Sequence, residues 1–141
     1  MNIPFVDLKS QYQLLKHEID AAIQHVIDET AFIKGKYVLT FENEFASAHG
    51  VKYCISCGNG TDAIYITLKA LGIGLGDEVI TVANSWISTS ETITQTGAQP
   101  VFVDIHPDYY TIDVNKIEEN ITPKTKAIIP VHLFGQPAEM D

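Results

Sequence analysis

The stretch Cys57-Gly58-Asn59-Gly60-Thr61-Asp62-Ala63 constrains this chain more than any other, because it joins an apolar run to a helical pattern. Val51 to Cys57 (VKYCISC) reads as a strand and Thr61 to Leu71 (TDAIYITLKAL) as a helix. Glycines let a backbone turn sharply and approach a ligand closely. A helix start presents free N–H groups and the positive end of its dipole to whatever occupies the turn. Strand, glycine-rich turn and helix N-terminus together suit a phosphate group. The same residues also read as an ordinary strand-to-helix connection whose glycines serve geometry alone.

The 141 residues are 45% hydrophobic, enough for one domain with a core and unlike a disordered chain. The formal charge is −9 and all basic residues are lysine, which argues against nucleic-acid and anionic-membrane partners. No run is apolar for long enough to span a bilayer. Met1-Asn2-Ile3-Pro4 lacks the basic-then-apolar pattern of a signal peptide, so the cytoplasm is the expected location. Cys54 and Cys57 have C-x-x-C spacing, but both fall inside the predicted strand, ahead of the helix start that would activate a thiol. They read as buried and inert, and two thiols do not complete a zinc site.

Along the chain, Ser10-x-x-Gln13 suggests a capping box for a helix running to about Glu29. Its residues Leu15, Ile19, Ala22, Ile23, Val26 and Ile27 form an amphipathic stripe. A second helix follows, with Val38, Phe41 and Phe45 on one face and Gly50 placed to end it. After the turn and helix 61–71, Val79 to Val82 reads as a strand and Asn84-Ser85-Trp86 as a loop. Ser88-x-x-Glu91 reads as the cap of a helix ending near Gly97, and Val101 to Val103 as the next strand. His106-Pro107-Asp108 is turn chemistry, Asp113 is placed to cap a helix through Ile121, and Ala127 to Val131 reads as a last strand. Such alternation predicts an α/β fold, a mainly parallel mixed sheet with helices on both faces. A further helix is expected to start around Gln136 to Asp141, which makes the sheet look cut off and part of any site at its carboxyl edge missing.

Gly58-x-Gly60-x-x-Ala63 also fits a dinucleotide fingerprint, with acids at Asp77 and Glu78. The ribose-binding acid belongs at the carboxyl end of the second strand, whereas these precede theirs. Three ordered groups of residues point elsewhere. The first is Ile3-Pro4-Phe5-Val6-Asp7-Leu8-Lys9, Phe32-Ile33-x-Gly35 and Phe41-Glu42-x-Glu44-Phe45-Ala46. The second is Gly60-Thr61-Asp62-Ala63 and Gly76-Asp77-Glu78-Val79-Ile80. The third is Pro100-Val101-Phe102-Val103-Asp104 and Pro130-Val131-His132-Leu133-Phe134-Gly135-Gln136. In this order they resemble the DegT/DnrJ/EryC1/StrS sugar aminotransferases, pyridoxal 5'-phosphate enzymes of the aspartate-aminotransferase fold.

The resemblance implies that residues 1–141 are the N-terminal part of the cofactor-binding large domain, with the C-terminal small domain absent. It implies that Gly60, Thr61 and Asp62 bind the cofactor phosphate through backbone amides and the Thr61 hydroxyl, the Asp62 carboxylate pointing away or capping the helix. Trp86, which by itself reads as a core aromatic, becomes the residue stacked on the pyridine ring. His132, Asp104 and Gln136 lie at strand or loop ends and receive no role, and His106 stands where relatives often carry an acid. Transamination also needs a Schiff-base lysine and a carboxylate on the pyridine nitrogen. The resemblance puts both beyond Asp141, so no catalytic residue is nominated. The implied partners are a nucleotide-linked keto-sugar, a dTDP-linked 3-keto-6-deoxyhexose foremost, glutamate as amino donor, and a second subunit in a homodimer. A Rossmann-like oxidoreductase and a non-catalytic truncated remnant stay open as alternatives.

Overall fold

The computed structural model describes residues 4–141; Met1 to Ile3, and with them the first residue of the opening motif, lie outside the described residues. The chain divides into two compact units, Met1–Ser56 and Cys57–Asp141. The division falls inside the run predicted as a strand.

The first unit holds two helices, α1 (Leu8–Asp28) and α2 (Lys36–Ala48). The cap of α1 is Asp7, not Ser10: the Asp7 carboxylate accepts the Ser10 amide at 3.0 Å and the Ser10 hydroxyl at 2.6 Å. Those two donors hold its carboxyl below the ordinary aspartate value. Asp is among the preferred N-cap residues, and here one carboxylate accepts both donors at once. The predicted stripe exists but has little cover, with Leu15, Ile19, Ile23 and Ile27 all exposed. On α2, Phe41 and Phe45 pack with ring centroids 5.5 Å apart, and Ala46 is buried.

Val51 to Cys57 forms no strand, which corrects the sequence expectation. A strand exists only through its ladder, and this run pairs with none of the described strands. Its anchor is instead Glu42, whose carboxylate accepts the Ser56 amide at 2.9 Å and the Ser56 hydroxyl at 2.7 Å. The cysteines are not buried as expected either: Cys57 is exposed and Cys54 intermediate.

The second unit contains α3 (Gly60–Ala70), β1 (Glu78–Val82), α4 (Ser88–Thr96), β2 (Gln99–Val103) and β3 (Thr125–Ile128). The strands form a parallel sheet of order β2-β1-β3. As the middle strand, β1 is buried on both faces, which explains its unbroken Val-Ile-Thr-Val run. Val79 packs with Leu68 of α3, Ile73, Ile93 of α4 and Ala98. On the other face Ile80 and Val82 pack with Val103, Ile112 and Ala138. Thus α3 and α4 cover one face, and the segment after β2, with its short 3₁₀ turns, covers the other. Pro100 is tolerated because β2 lies at a sheet edge.

Several boundaries differ from the sequence reading. Asp113 does cap, accepting the Asn115 amide at 3.1 Å, but two 3₁₀ turns, Val114–Lys116 and Glu118–Asn120, replace the expected helix. Asn and β-branched residues there are poor helix formers. β3 begins earlier than predicted; its pairing continues through the Ile129 amide to the Ile80 carbonyl at 2.8 Å. Pro130, lacking an N–H, cannot extend it. Residues 136–141 are irregular, without the helix expected there.

Helix α4 ends at Gly97, in the left-handed region at φ 93°, where an added Cβ would sit 3.3 Å from the Leu75 amide nitrogen. Gly97→Ala is therefore expected to destabilise the fold by about 1–2 kcal/mol, read as a lower urea midpoint. An unchanged midpoint would contradict the strain assigned to this cap.

Candidate functional site

The site is built around the start of α3. Asn59 is the N-cap: its Oδ1 accepts the Asp62 amide at 2.9 Å and its Nδ2 donates to the Asp62 carboxylate at 3.2 Å. The Asn59 side chain thus satisfies one backbone donor of the helix start and also holds the Asp62 carboxylate. It draws the Asp62 carboxylate back over the turn, where a Cβ on residue 58 would meet Asp62 Oδ2 at 2.7 Å. A side chain at position 58 would have to displace that carboxylate, and neither Gly58 nor Gly60 has positive φ.

With the Asp62 amide held by Asn59 and the Ala63 amide donating to the Asn59 carbonyl at 3.1 Å, the Gly60 and Thr61 amides are left. Neither has an acceptor among the described residues. Beyond its chain neighbours and its own helix backbone, no atom lies within 4 Å of where a Gly60 side chain would begin. Asp62 therefore serves the cap through its amide and its carboxylate alike, and the donors left without an acceptor at the helix start are those of Gly60 and Thr61.

Thr61 Oγ1 lies 2.7 Å from Ser88 Oγ, the first residue of α4 and two beyond Trp86. This contact connects the start of α3 to the loop that carries the indole. Ser88 was expected to cap α4, but the cap position is Ile87, without a side-chain hydrogen bond. The loop is tied at several points. Asn84 Nδ2 donates to the Tyr110 carbonyl at 3.0 Å, and the Thr89 amide donates to the Trp86 carbonyl at 3.0 Å. Trp86 itself is 78% exposed, so it is not a core aromatic. Of the four predicted site residues, Gly60, Thr61 and Asp62 share one helix turn, and Ser88 links Thr61 to the loop of Trp86.

The residues left without a role have structural partners. Asp104 accepts the Ile105 amide at 2.8 Å and Lys116 Nζ at 3.3 Å, which hold its carboxyl below the ordinary range. His132 Nδ1 accepts the Ala138 amide at 2.9 Å. His106 stacks on Tyr109 with centroids 4.8 Å apart, in the predicted turn. The acids of the dinucleotide reading sit at the amino end of β1. Asp77 accepts the Gly74 amide at 3.0 Å and Glu78 the Thr122 hydroxyl at 2.6 Å, so neither is at a ribose-binding position.

Two participants were missed in the sequence. Asn59 had a legible signal, an Asn three residues before an acid at a helix start. Ser88 had none, because its partner is 27 residues away. For an anionic phosphate ester the donor set fits: two free amides, one hydroxyl and a helix dipole. The opposing Asp62 carboxylate is engaged by Asn59.

The family model for DegT/DnrJ/EryC1/StrS aminotransferases matches residues 13–141. UDP-2-acetamido-2-deoxy-3-oxo-D-glucuronate aminotransferase of Pseudomonas aeruginosa is 50% identical over 99% of this chain and 39% of its own length. dTDP-3-amino-3,4,6-trideoxy-alpha-D-glucose transaminase of Streptomyces venezuelae is 42% identical over 99% of this chain and 37% of its own. Among solved structures, S. venezuelae DesV in complex with a ketimine intermediate superposes with a TM-score of 0.93 at 42% identity. That match covers 97% of this chain and 37% of DesV. The Bacillus subtilis protein ntda, with bound cofactor PMP, matches with a TM-score of 0.84 at 41% identity, over 87% of this chain and 28% of its own. The chain thus spans less than two fifths of the length of these relatives.

Proposed function

This chain belongs to the DegT/DnrJ/EryC1/StrS aminotransferase family, and from that premise we propose that it forms the cofactor-phosphate half of a pyridoxal-phosphate-dependent sugar aminotransferase site. The observation that carries the reading is the 2.7 Å contact between Thr61 and Ser88, which couples the helix start to the Trp86 loop. The Gly60 and Thr61 amides and the Thr61 hydroxyl bind the phosphate. Asp62 closes the cap behind them, its carboxylate accepting a hydrogen bond from Asn59 Nδ2. Trp86 offers a broad exposed face against which a conjugated ring stacks and water is displaced. When bound, pyridoxal phosphate supplies the electron sink on which amino-group transfer depends. The Schiff-base lysine and the carboxylate for the pyridine nitrogen belong to the remainder of the complete protein, which acts as a homodimer; this chain alone is inactive.

The amino acceptor is the keto carbon of a nucleotide-linked sugar, with glutamate as donor. Both named relatives carry their chemistry at C3 of the sugar, one with UDP and one with dTDP, which supports a 3-keto acceptor. Among these the opening motif and Gly58-Asn59-Gly60-Thr61-Asp62-Ala63 favour a dTDP-linked 3-keto-6-deoxyhexose. The complete protein, given cofactor, glutamate and either the 3-keto or the 4-keto isomer, is expected to aminate the 3-keto sugar, read by product mass. Turnover of only the 4-keto sugar overturns the regiochemistry. Turnover of only a UDP-linked 3-keto sugar keeps the position and overturns the nucleotide.

A further inference from the structure

Above its second pKa, about 6, a phosphate ester presents only acceptor oxygens. A threonine hydroxyl beside it must give its single proton to the phosphate, which leaves the threonine oxygen as an acceptor. Thr67, Thr92 and Thr94 instead turn their hydroxyls back onto the carbonyl four residues earlier, at 2.7, 2.7 and 2.8 Å. Thr61 does not. Its oxygen bonds across to Ser88 on another helix, and geometry allows either to donate. Ser88 is 7% exposed, and its hydroxyl has no other partner among the described residues.

We propose that Ser88 is a positioning residue for the cofactor phosphate: its hydroxyl donates to Thr61 Oγ1 and so directs the Thr61 proton toward a phosphate oxygen. This rests on the phosphate-site reading of Thr61 above. Ser88 itself touches no cofactor atom. Its burial keeps water from competing for the Thr61 oxygen, and hydroxyls bonded in series polarise one another. Without Ser88 the Thr61 hydroxyl loses the one side-chain partner that orients it among the described residues.

The test uses the complete protein, stripped of cofactor and titrated with pyridoxal phosphate by absorbance. Ser88→Ala is expected to raise the Kd about threefold to tenfold, the range carried by one net hydrogen bond. Ser88→Thr, which restores a hydroxyl, is expected to return the Kd close to the parent value. Pyridoxal, which lacks the phosphate, is expected to bind both proteins alike. In a Thr61→Val background, Ser88→Ala is expected to change nothing further. An unchanged Kd for Ser88→Ala overturns the proposal, as does equal weakening in the Thr61→Val background, which marks a purely structural residue. If Thr61→Val alone leaves binding intact, the phosphate-site reading falls too; if Thr61→Val weakens binding and Ser88→Ala does not, only the role of Ser88 falls. Urea midpoints check folding, and Ser88→Cys, near in shape but a weak donor, replaces the alanine variant if that one unfolds.

Discussion

Replacing Ile93 with alanine is expected to destabilise the protein by about 2–5 kcal/mol, among the largest costs any single side-chain truncation here can carry. Ile93 is fully buried in α4, packed with Leu68, Ile73, Val79 and Ala98. It touches the cluster that joins both helices to the central strand, so a cavity there loosens α3 and α4 together. The loss is large beside a typical total stability of about 5–15 kcal/mol. Ile87, six residues earlier and 63% exposed, is the control, and its alanine variant is expected within about 0.5 kcal/mol of the parent. Urea unfolding followed by far-ultraviolet circular dichroism measures both. A loss below about 1 kcal/mol for Ile93→Ala would mean that α4 is not held by this cluster.

Adding pyridoxal phosphate to the purified 141-residue chain and reducing with borohydride is expected to leave no single lysine stoichiometrically labelled. In the second unit, Lys69 lies in the last turn of α3, away from its start. Lys124 and Lys126 lie at the beginning of β3, whereas the Trp86 loop follows the carboxyl end of β1. Lys116 is engaged by Asp104 at 3.3 Å. In the first unit, Lys16 and Lys36 are paired with Asp20 and Glu29, and those carboxylates raise both ammonium groups above their ordinary pKa, leaving less free amine to react. Intact mass and peptide mapping read the outcome, with a Thr61→Val, Trp86→Ala double variant to subtract nonspecific labelling. A stoichiometric adduct at one lysine, lost in that variant, would place the covalent lysine within these residues and overturn the half-site proposal.

What could be read from the chain was local. The start of α3 followed from the glycine-rich turn and an apolar pattern of helical period, and β1 from a β-branched run bounded by turns. These are interactions among residues a few positions apart. Even locally the cap of α1 was misplaced at Ser10, whereas the Asp7 carboxylate caps the helix by accepting two donors from Ser10. The strand read into Val51 to Cys57 failed for the opposite reason: its residues suit a strand, but ladder partners are not encoded within a run.

The sequence by itself determined a phosphate-suited helix start and a parallel α/β arrangement, whereas Trp86, read alone as a core aromatic, proved 78% exposed. Only the tertiary structure decided which donors remain free. Asn59 takes the Asp62 amide, leaving those of Gly60 and Thr61, and Ser88 meets the Thr61 hydroxyl across 27 residues of chain. That meeting depends on α3 and α4 packing side by side over Val79, a consequence of burying Leu68 and Ile93 together. Hydrophobic burial is non-directional, so no spacing in the sequence could announce which two hydroxyls it would bring to 2.7 Å.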